Sequence, residues 1–350
     1  MTEITPRTNV KLFGHEETEA MLLGDLAAGR LAHGLIFSGG KGIGKATLAY
    51  RFARALLAGS DDMEMSENHP VFHRVAAGSH TDLLVIEQEY DAKKEEYANE
   101  ISIEQSRTIA QSLSLTPAEG TWRVVIIDSA DALNNKSANS ILKILEKPPP
   151  RTILILIANN IGQLLPTIRS RCRVLNIKPL SQENFAKAMR LVAPEIYGDE
   201  LAALGIISKN SVGIALELRA QGALMLYNEI VGIMAEMDSG RLIAFCEQFS
   251  GGKKIHGKWQ VFANVTLCIL ERICKKSSGF DIKPITEEEE NMLQILAGRY
   301  GAEIWARKWQ EVAQQFLLAK RLHLDYKQVA LTFFHSLVSV EEFNLGNLAA

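Results

Sequence analysis

The sequence GGKGIGKAT occupies residues 39–47, between the apolar run LIF of residues 35–37 and a helix-like run at residues 48–57. A strand, a glycine-rich turn, a Gly-Lys pair and a helix form the context that a phosphate-binding P-loop requires. In such a loop, backbone N–H groups converge on phosphate oxygens, while the helix N-terminus and a lysine add positive charge. The residues predicted to bind a nucleotide phosphate here are Gly39, Gly42, Gly44, Lys45 and Thr47.

The P-loop departs from the usual pattern at the residue that follows Lys45. The pattern requires Ser or Thr there, because its hydroxyl ligates Mg²⁺, and this sequence has Ala46. Thr47 lies one position further along the helix and is turned by about 100°, so it does not simply substitute. The loop is predicted to cradle phosphate without a metal ligand. The sequence leaves open whether it binds ATP, ADP or phosphate weakly.

A second nucleotide motif is the run VVIID at residues 124–128, which resembles a Walker B strand. In an ATPase, Asp128 helps to bind Mg²⁺, and a glutamate after it polarises the attacking water. This chain has Ser129 instead. A hydroxyl cannot replace a carboxylate base, so hydrolysis is predicted to be disabled at both Ala46 and Ser129. The alternative interpretation of Asp128 is an acid that ends a strand.

Five apolar runs, at residues 35–37, 82–86, 123–128, 152–158 and 173–177, alternate with helical segments. This alternation predicts an α/β fold, with a parallel sheet covered by helices on both faces. Strand patterns then stop, and apolar residues at spacings of three and four predict helices. We expect an α/β domain at residues 1–178, a small helical domain at 179–220 and a helical domain at 221–350.

Local signals mark several helix starts. Ser102 with Gln105 and Thr286 with Glu289 have the spacing of capping boxes, and Ser181 is placed to cap a helix. Residues 59–79 are predicted to form a loop or small excursion, and the charge-dense residues 87–100 an exposed turn or hairpin.

The composition is that of an ordinary soluble protein, with 47% hydrophobic and 23% charged residues. A formal net charge of −3 argues against a generic nucleic-acid coat. The four cysteines lack paired spacing, which favours a reducing compartment. No apolar run reaches about 18 residues, and no signal peptide is evident. We therefore expect a cytoplasmic protein without a membrane segment.

Taken together, these motifs resemble a known family. They are the P-loop, DSAD at residues 128–131, SANSILKILEKPP at 137–149 and LPTIRSRC at 165–172. They look like the clamp loader of bacterial DNA polymerase III, and most of all like its delta′ type of subunit. The resemblance is strong over residues 13–177 and weakens to a general helical pattern after residue 220.

The resemblance implies an AAA+ fold, with a nucleotide-binding domain, a helical lid and a C-terminal collar domain. It implies clamp-loader motor subunits and the delta subunit as partners, in an assembly that loads the sliding clamp on primer-template DNA. A delta′ subunit is the rigid member without ATPase activity of its own. Ala46 and Ser129 suit that role.

The resemblance also gives Arg171 of the Ser-Arg-Cys motif a role in trans. There it reaches the ATP bound by a neighbouring subunit and acts as an arginine finger, because a guanidinium neutralises charge on the γ-phosphate. The alternative is that Arg171 pairs with an acid on its own surface. Arg169 and Arg173 are expected to contribute interface or phosphate-facing charge, and Cys172 to pack rather than react.

Two departures limit the resemblance. Many family members carry a four-cysteine zinc module after the P-loop helix, but residues 57–80 contain no cysteine. His69, His73 and His80 lack thiolate partners, so no zinc or other metal is expected.

The second departure lies in the predicted lid. Motor subunits place an arginine that senses the γ-phosphate where this chain has Gly213. Asn159 and Asn160 follow the fourth strand, where a polar sensor usually lies, and either contacts phosphate or ends the strand.

Two other functions remain open from the sequence. A self-sufficient motor-type ATPase would use Thr47 or water as the missing ligand. A plain DNA-binding module would use the basic residues Lys136, Lys143, Lys147 and Arg151, which otherwise form a solvated helix face.

Overall fold

The structure is a computed structural model that describes residues 4–91, 96–98, 100–114, 116–119, 122–236, 238–251 and 255–337. The chain forms two compact units. The N-terminal unit comprises Met1–Ile196 and Lys209–Ile214, and the helical unit comprises Tyr197–Ser208 and Ala215–Ala350. The predicted division into three domains remains a prediction.

The N-terminal unit is built from alternating strands and helices. Its strands are β1 Gly34–Ser38, β2 Leu83–Glu87, β3 Tyr90–Asp91, β4 Glu96–Tyr97, β5 Arg123–Asp128, β6 Thr152–Ala158 and β7 Arg173–Asn176. Its helices are α1 Glu16–Ala27, α2 Lys45–Ala58, α3 Pro70–Ala76, α4 Ile103–Ser114, α5 Asn135–Glu146, α6 Pro166–Arg169 and α7 Gln182–Val192.

Five of these strands form one sheet in the order β2-β5-β6-β1-β7, and every pairing in it is parallel. All residues of β1 and β6 are buried, because helices cover both faces. One core contains Phe37, Phe52 and Ile155, and the other contains Ile36, Ile127 and Ile141. The predicted α/β class, with a parallel sheet covered on both faces, is confirmed.

The expected loop at residues 59–79 is wrong in part, because it contains α3. Pro70 at the first helical position supplies the dihedral angle that a helix start needs. The ring of His69 accepts a hydrogen bond from Val71 N at 3.1 Å. The short β3 and β4 pair antiparallel, as the hairpin prediction required, and residues 92–95 of that hairpin lie outside the described residues.

The helix caps agree with the sequence prediction. Ser102 Oγ accepts from Gln105 N at 3.2 Å, and Gln105 Oε1 accepts from Ser102 N at 2.9 Å. Ser181 Oγ accepts from Asn184 N at 3.2 Å. A capping side chain replaces an intrahelical partner that the first turn lacks, so each helix starts where its cap stands.

Helices alone make up the second part of the chain within the described residues. They are α8 Gly198–Ile207, α9 Val212–Ala220, α10 Ala223–Glu236, α11 Ser239–Glu247, α12 His256–Ser277, α13 Glu287–Arg299, α14 Ala302–Leu322 and α15 Tyr326–Ser336. The core of the helical unit is aromatic. Trp259 stacks on Tyr326 with ring centroids 4.4 Å apart, and Phe262 packs against Phe316.

The start of α13 carries a buried ion pair. Glu289 N donates to the cap Thr286 Oγ1 at 3.2 Å, as predicted. The Glu289 carboxylate is fully buried and accepts from Arg272 Nε and, at 2.8 Å, from the Tyr227 hydroxyl. Removing one partner of such a pair leaves an uncompensated buried charge, so this cluster ties α10, α12 and α13 together.

Within the described ranges, no single helix is long and apolar enough to cross a membrane. Helices α8 and α9 meet that length and composition only as a sharply bent pair.

Candidate functional site

The predicted nucleotide residues meet at one edge of the parallel sheet. Strands β5, β6 and β1 are neighbours, and their carboxyl ends lead to Asp128, Asn159 and the P-loop. Carboxyl ends of parallel strands share one edge of a sheet, where ligands bind in open α/β folds. The topology therefore brings Lys45 and Asp128 to the same edge of the sheet.

Two glycines of the P-loop leave no room for a side chain. A Cβ at Gly39 would lie 2.4 Å from the Ile177 carbonyl oxygen. Gly42 has φ +73°, and a Cβ there would lie 2.5 Å from Ser211 Oγ. The glycines thus serve close backbone approach as well as loop curvature.

Lys45 is buried, and its ammonium group is bonded within its own chain. Nζ donates to the carbonyls of Gly39, at 2.8 Å, and Gly40, and to Asn159 Oδ1 at 2.9 Å. Burial lowers the pKa of Lys45 to about 8, while the charges of Asp128 and Asp131 oppose that shift. These acceptors and charges stabilise the ammonium form inside the loop.

Asn159 links the lysine to the Walker B strand. Its Nδ2 donates to Ser129 Oγ at 3.1 Å, and Ser129 Oγ donates to Asp128 Oδ1 at 3.4 Å. Burial raises the pKa of Asp128, and the charge of Lys45 opposes that rise. Asn160 instead caps the turn after β6, where its Oδ1 accepts a hydrogen bond from Gly162 N at 3.0 Å. Of the two candidate polar sensors, only Asn159 contacts the lysine.

The carbonyl groups of residues 39–44, which we call the carbonyl row, all accept hydrogen bonds from the same chain. The first two bond Lys45 Nζ. The other four bond donors from three segments of the chain: Lys41 O accepts from Ser211 Oγ (2.7 Å), Gly42 O from Gly213 N (3.0 Å), Ile43 O from His15 Nε2 (2.7 Å) and Gly44 O from Leu48 N (2.9 Å). The loop is therefore fixed along its whole length.

Gly213 takes part in this contact through its backbone. A Cβ at Gly213 would lie 2.8 Å from the Cα of Gly42, a distance that real Cβ contacts do not reach. This close approach of the two backbones therefore requires glycine at both positions. Gly213, where the resemblance predicts the loss of a sensing arginine, makes a backbone contact with the P-loop.

The segment before α1 is also tied to the P-loop helix, which the sequence did not indicate. Arg54 on α2 is completely buried and donates to the carbonyls of Arg7 at 3.0 Å and Asn9 at 2.6 Å. Burial lowers the pKa of Arg54 to about 10, and the charge of Arg51 adds to that shift. The sequence feature that could have indicated this contact is Arg54, the one charged residue in the apolar run of residues 52–58.

The positions after Lys45 and Asp128 do not carry the hydroxyl and the glutamate that the motifs call for. Ala46 has no side-chain oxygen, and Thr47 is buried and makes no hydrogen bond with Lys45 or Asp128 among the described residues. Ser129 bonds Asn159 and Asp128. The backbone fits a phosphate cradle, but the side chains do not fit a Mg²⁺-dependent hydrolytic centre.

Arg171 follows α6 at a different part of the surface. Its Nη1 donates to the Thr167 carbonyl at 3.0 Å, and its Nη2 donates to Glu146 Oε1 at 2.8 Å. The side chain of Arg171 is 35% exposed and that of Glu146 is 49% exposed. The structure thus shows Arg171 paired with an acid on its own surface, and its role in trans remains a prediction.

The arginines on either side of Arg171 have different partners from it. Arg173 bonds Asp25 of α1, whereas Arg169 is exposed and has no ion-pair partner among the described residues. Burial raises the pKa of Cys172 to about 12, so its thiol is poorly suited to act as a nucleophile.

The histidines considered for zinc do not converge. His69 caps α3, and His80 Nδ1 accepts from Asp82 N at 3.2 Å. Within the part of the chain that the structure describes, no three His, Cys, Asp or Glu side chains are placed to hold a metal ion.

The basic residues considered for DNA binding are all exposed. They are Lys136, Lys143, Lys147 and Arg151. Exposure is compatible with both a nucleic-acid surface and a solvated helix face.

Comparison with known proteins connects this geometry to a family. A family model described as "DNA polymerase III, delta subunit" matches residues 14–181, which include the P-loop, Asp128 and Arg171. DNA polymerase III subunit delta′ of Pseudomonas aeruginosa is 34% identical over 197 residues, 55% of this chain and 57% of that protein. The delta′ subunit of Bacillus subtilis is 29% identical over 218 residues, 62% and 60% of the two chains.

Residues 14–181 match the DNA polymerase III family model, and over part of its length the chain is similar to the delta′ subunits of that polymerase. It spans about 60% of the length of those delta′ relatives. It is also 27% identical over 213 residues to the tau subunit of Escherichia coli, 59% of this chain and 31% of that one.

Solved structures resemble the chain at low identity. A gamma subunit-related protein of Thermotoga maritima has 16% identity and a TM-score of 0.44, with 89% of this chain and all of that one covered. The RuvB branch-migration motor of the same organism has 16% identity and a TM-score of 0.42, with 89% and 91% covered.

Proposed function

We propose that this chain is a clamp-loader subunit that does not hydrolyse ATP and acts as a rigid scaffold. The observation that carries the proposal is the carbonyl row, in which all six carbonyls of residues 39–44 accept hydrogen bonds from the same chain. A motor subunit needs a loop and lid that respond to nucleotide. Here Ser211 and Gly213 bond the loop directly, which favours one fixed arrangement.

The chemistry of the site supports an inert P-loop. Hydrolysis needs a metal ligand after the P-loop lysine and a group that positions water. This chain has Ala46 and Ser129 at those positions. ATP, ADP or phosphate would find the backbone cradle and Lys45 but no hydrolytic groups, so any binding there is proposed to be weak and without turnover.

The second part of the proposal is that Arg171 acts in trans as an arginine finger on a neighbouring subunit's ATP. The guanidinium has five N–H donors, and its described bonds use only Nη1 and Nη2. Its exposed side can therefore contact another chain. Arg169, also exposed, ends α6 two residues before Arg171.

The partners proposed are the motor subunits, of the tau or gamma type, and the delta subunit. The sliding clamp and primer-template DNA would be engaged through the assembly. We propose residues 179–220 as the lid domain and residues 221–350 as the collar that joins the subunits. Within the described residues, the tightly packed aromatic core suits a collar that keeps its shape.

The test is clamp- and DNA-stimulated ATP hydrolysis by a reconstituted loader that contains this chain or its Arg171→Ala variant. Loss of an arginine finger slows the affected site by about 10³-fold or more, so total turnover should fall by the share of that site. Arg169→Ala is the matched control, because it removes a neighbouring exposed charge. Gel filtration must show equal assembly.

Unchanged turnover with Arg171→Ala would contradict the role in trans. Turnover by the isolated chain, abolished by Lys45→Ala, would contradict the inert P-loop and indicate a motor-type subunit instead. Steeply salt-dependent DNA binding by the isolated chain would indicate that it is a DNA-binding module in its own right.

A further inference from the structure

The guanidinium of Arg171 is fixed from two sides. One side is the last turn of α6, where Thr167 O accepts from Nη1 at 3.0 Å and Ser170 Oγ lies 3.5 Å from it. The other side is the carboxylate of Glu146, which accepts from Nη2 at 2.8 Å. The rest of the side chain, including Nε, makes no described bond. Two nitrogens are thus oriented, and the outer edge is left for a ligand.

The backbone of Glu146 is itself fixed, because Glu146 ends α5 directly after an anchored residue. The carbonyl of Leu145 accepts from His33 Nε2 at 2.8 Å, and the Leu145 side chain is buried. Pro148 follows two residues later and cannot continue a helix. The carboxylate therefore starts from a fixed backbone position.

Gly34 brings the two segments together. A Cβ at Gly34 would lie 2.8 Å from Cys172 Sγ and 2.9 Å from Leu145 Cδ2. The two side chains that meet over this glycine come from the residues next to Arg171 and Glu146. Because β1 begins at Gly34, the start of a buried strand sets the distance between the acid and the arginine.

We propose that Glu146 is a positioning residue for Arg171, and that packing of Leu145 and Cys172 over Gly34 places the pair. This inference rests on the proposed role of Arg171 in trans. Glu146 orients the guanidinium toward a terminal phosphate on a neighbouring subunit, so less side-chain freedom is lost when the phosphate binds. Glu146 limits the motion of the guanidinium without blocking phosphate binding, since half of its own surface is in water and a phosphate offers a stronger bidentate partner.

The first experiment measures kcat and KM for ATP in the reconstituted loader with Glu146→Ala, Arg171→Ala and the double variant. An exposed ion pair of this kind corresponds to a change of about two- to fivefold. Glu146→Ala should lower by that factor the turnover of the one site that Arg171 completes, so the total kcat falls by less, and KM should stay almost unchanged. It should add nothing in the Arg171→Ala background. Glu146→Gln, which keeps an acceptor oxygen, should retain more activity than Glu146→Ala.

Glu183→Ala is the matched control, because Glu183 forms an exposed ion pair with Lys187 at 2.7 Å elsewhere in the N-terminal unit. It should leave kcat unchanged. A fall with Arg171→Ala but none with Glu146→Ala would overturn the positioning role and leave the proposed function standing. A rise in kcat with Glu146→Ala would overturn the positioning role, because it would show that the acid keeps the arginine from the phosphate. An equal loss in the Arg171→Ala background would show that Glu146 acts by another route.

The second experiment does not depend on the loader. In the isolated chain labelled with ¹⁵N-arginine, the Nε–H signal of Arg171 is identified by its absence in Arg171→Lys. Its heteronuclear NOE should fall in Glu146→Ala and not in Glu183→Ala, because only the first variant frees the guanidinium. An unchanged NOE would overturn the positioning role whatever the loader assay shows.

Discussion

The P-loop and the Arg171 segment lie in the same compact unit, yet their charged groups are arranged in opposite ways. Lys45 is buried, and its ammonium bonds two carbonyls and Asn159. Arg171 is a third exposed, and its guanidinium uses only part of its donors. The contrast teaches that the P-loop lysine is bonded inward while the outer edge of Arg171 is left open, which is the arrangement that the proposed roles of the two residues require.

The largest effect on stability is expected from adding a side chain where the P-loop contacts residues 209–214, because this disrupts the inward bonding of the loop. Gly213→Ala would place a Cβ 2.8 Å from Gly42 Cα. We expect it to lower the free energy of unfolding by about 1–3 kcal/mol, as overpacking does, and to speed hydrogen exchange at the Gly213 amide. Urea unfolding and exchange measurements check both.

Gly24→Ala is the control for that change. Gly24 lies within α1, and a Cβ there would meet nothing within 4 Å. Removing a glycine from a helix interior should raise the free energy of unfolding by about 1 kcal/mol, which is the opposite sign. If both variants behaved alike, the contact between Gly42 and Gly213 would not be a close one.

A smaller effect is expected from pH, and it tests the inward bonding of Lys45. The folded chain releases the lysine proton at about pH 8, whereas the unfolded chain releases it near the ordinary pKa of 10.5. The unfolded state binds more protons between these values, so this group makes stability rise with pH there. Lys45→Met should remove that part of the rise in urea midpoint between pH 8 and 10. An identical pH profile would show that Lys45 is not buried as described.

The smallest effect is expected at Arg173, which sharpens the contrast within the Ser-Arg-Cys segment. Arg173 pairs with Asp25 on its own unit, and an exposed pair contributes at most about 1 kcal/mol. Arg173→Ala should lower the free energy of unfolding by no more than that, with the difference shrinking as salt is added. Loader turnover should change far less than with Arg171→Ala, and a comparable loss would move the role in trans from Arg171 to the whole basic segment.

Local patterns predicted the parts of the fold that depend on neighbours in sequence. The P-loop, the buried strand ending at Asp128 and the caps at Ser102, Ser181 and Thr286 are all short signals with direct physical causes. The sequence did not predict helix α3, because its seven residues are too few to show a clear apolar period.

The groups that close the site were not predictable in this way. Ser211 bonds Lys41 across 170 residues of sequence, and His15 bonds Ile43 across 28. Glu146 reaches Arg171 because Gly34, a third distant residue, lets Leu145 and Cys172 meet. No periodicity records such contacts. At Gly213 the sequence predicts only the absence of a sensing arginine, whereas the structure shows a close backbone contact with Gly42.

The most direct test of the central claim compares two single variants in an assembled loader, Lys45→Ala and Arg171→Ala, by clamp- and DNA-stimulated ATP hydrolysis at equal assembly. The proposed function predicts that Arg171→Ala lowers turnover far more than Lys45→Ala, because the subunit would then complete a neighbour's site and have no working site of its own. A loss with Lys45→Ala as large as, or larger than, that with Arg171→Ala would contradict the account, and this chain would then be a motor subunit.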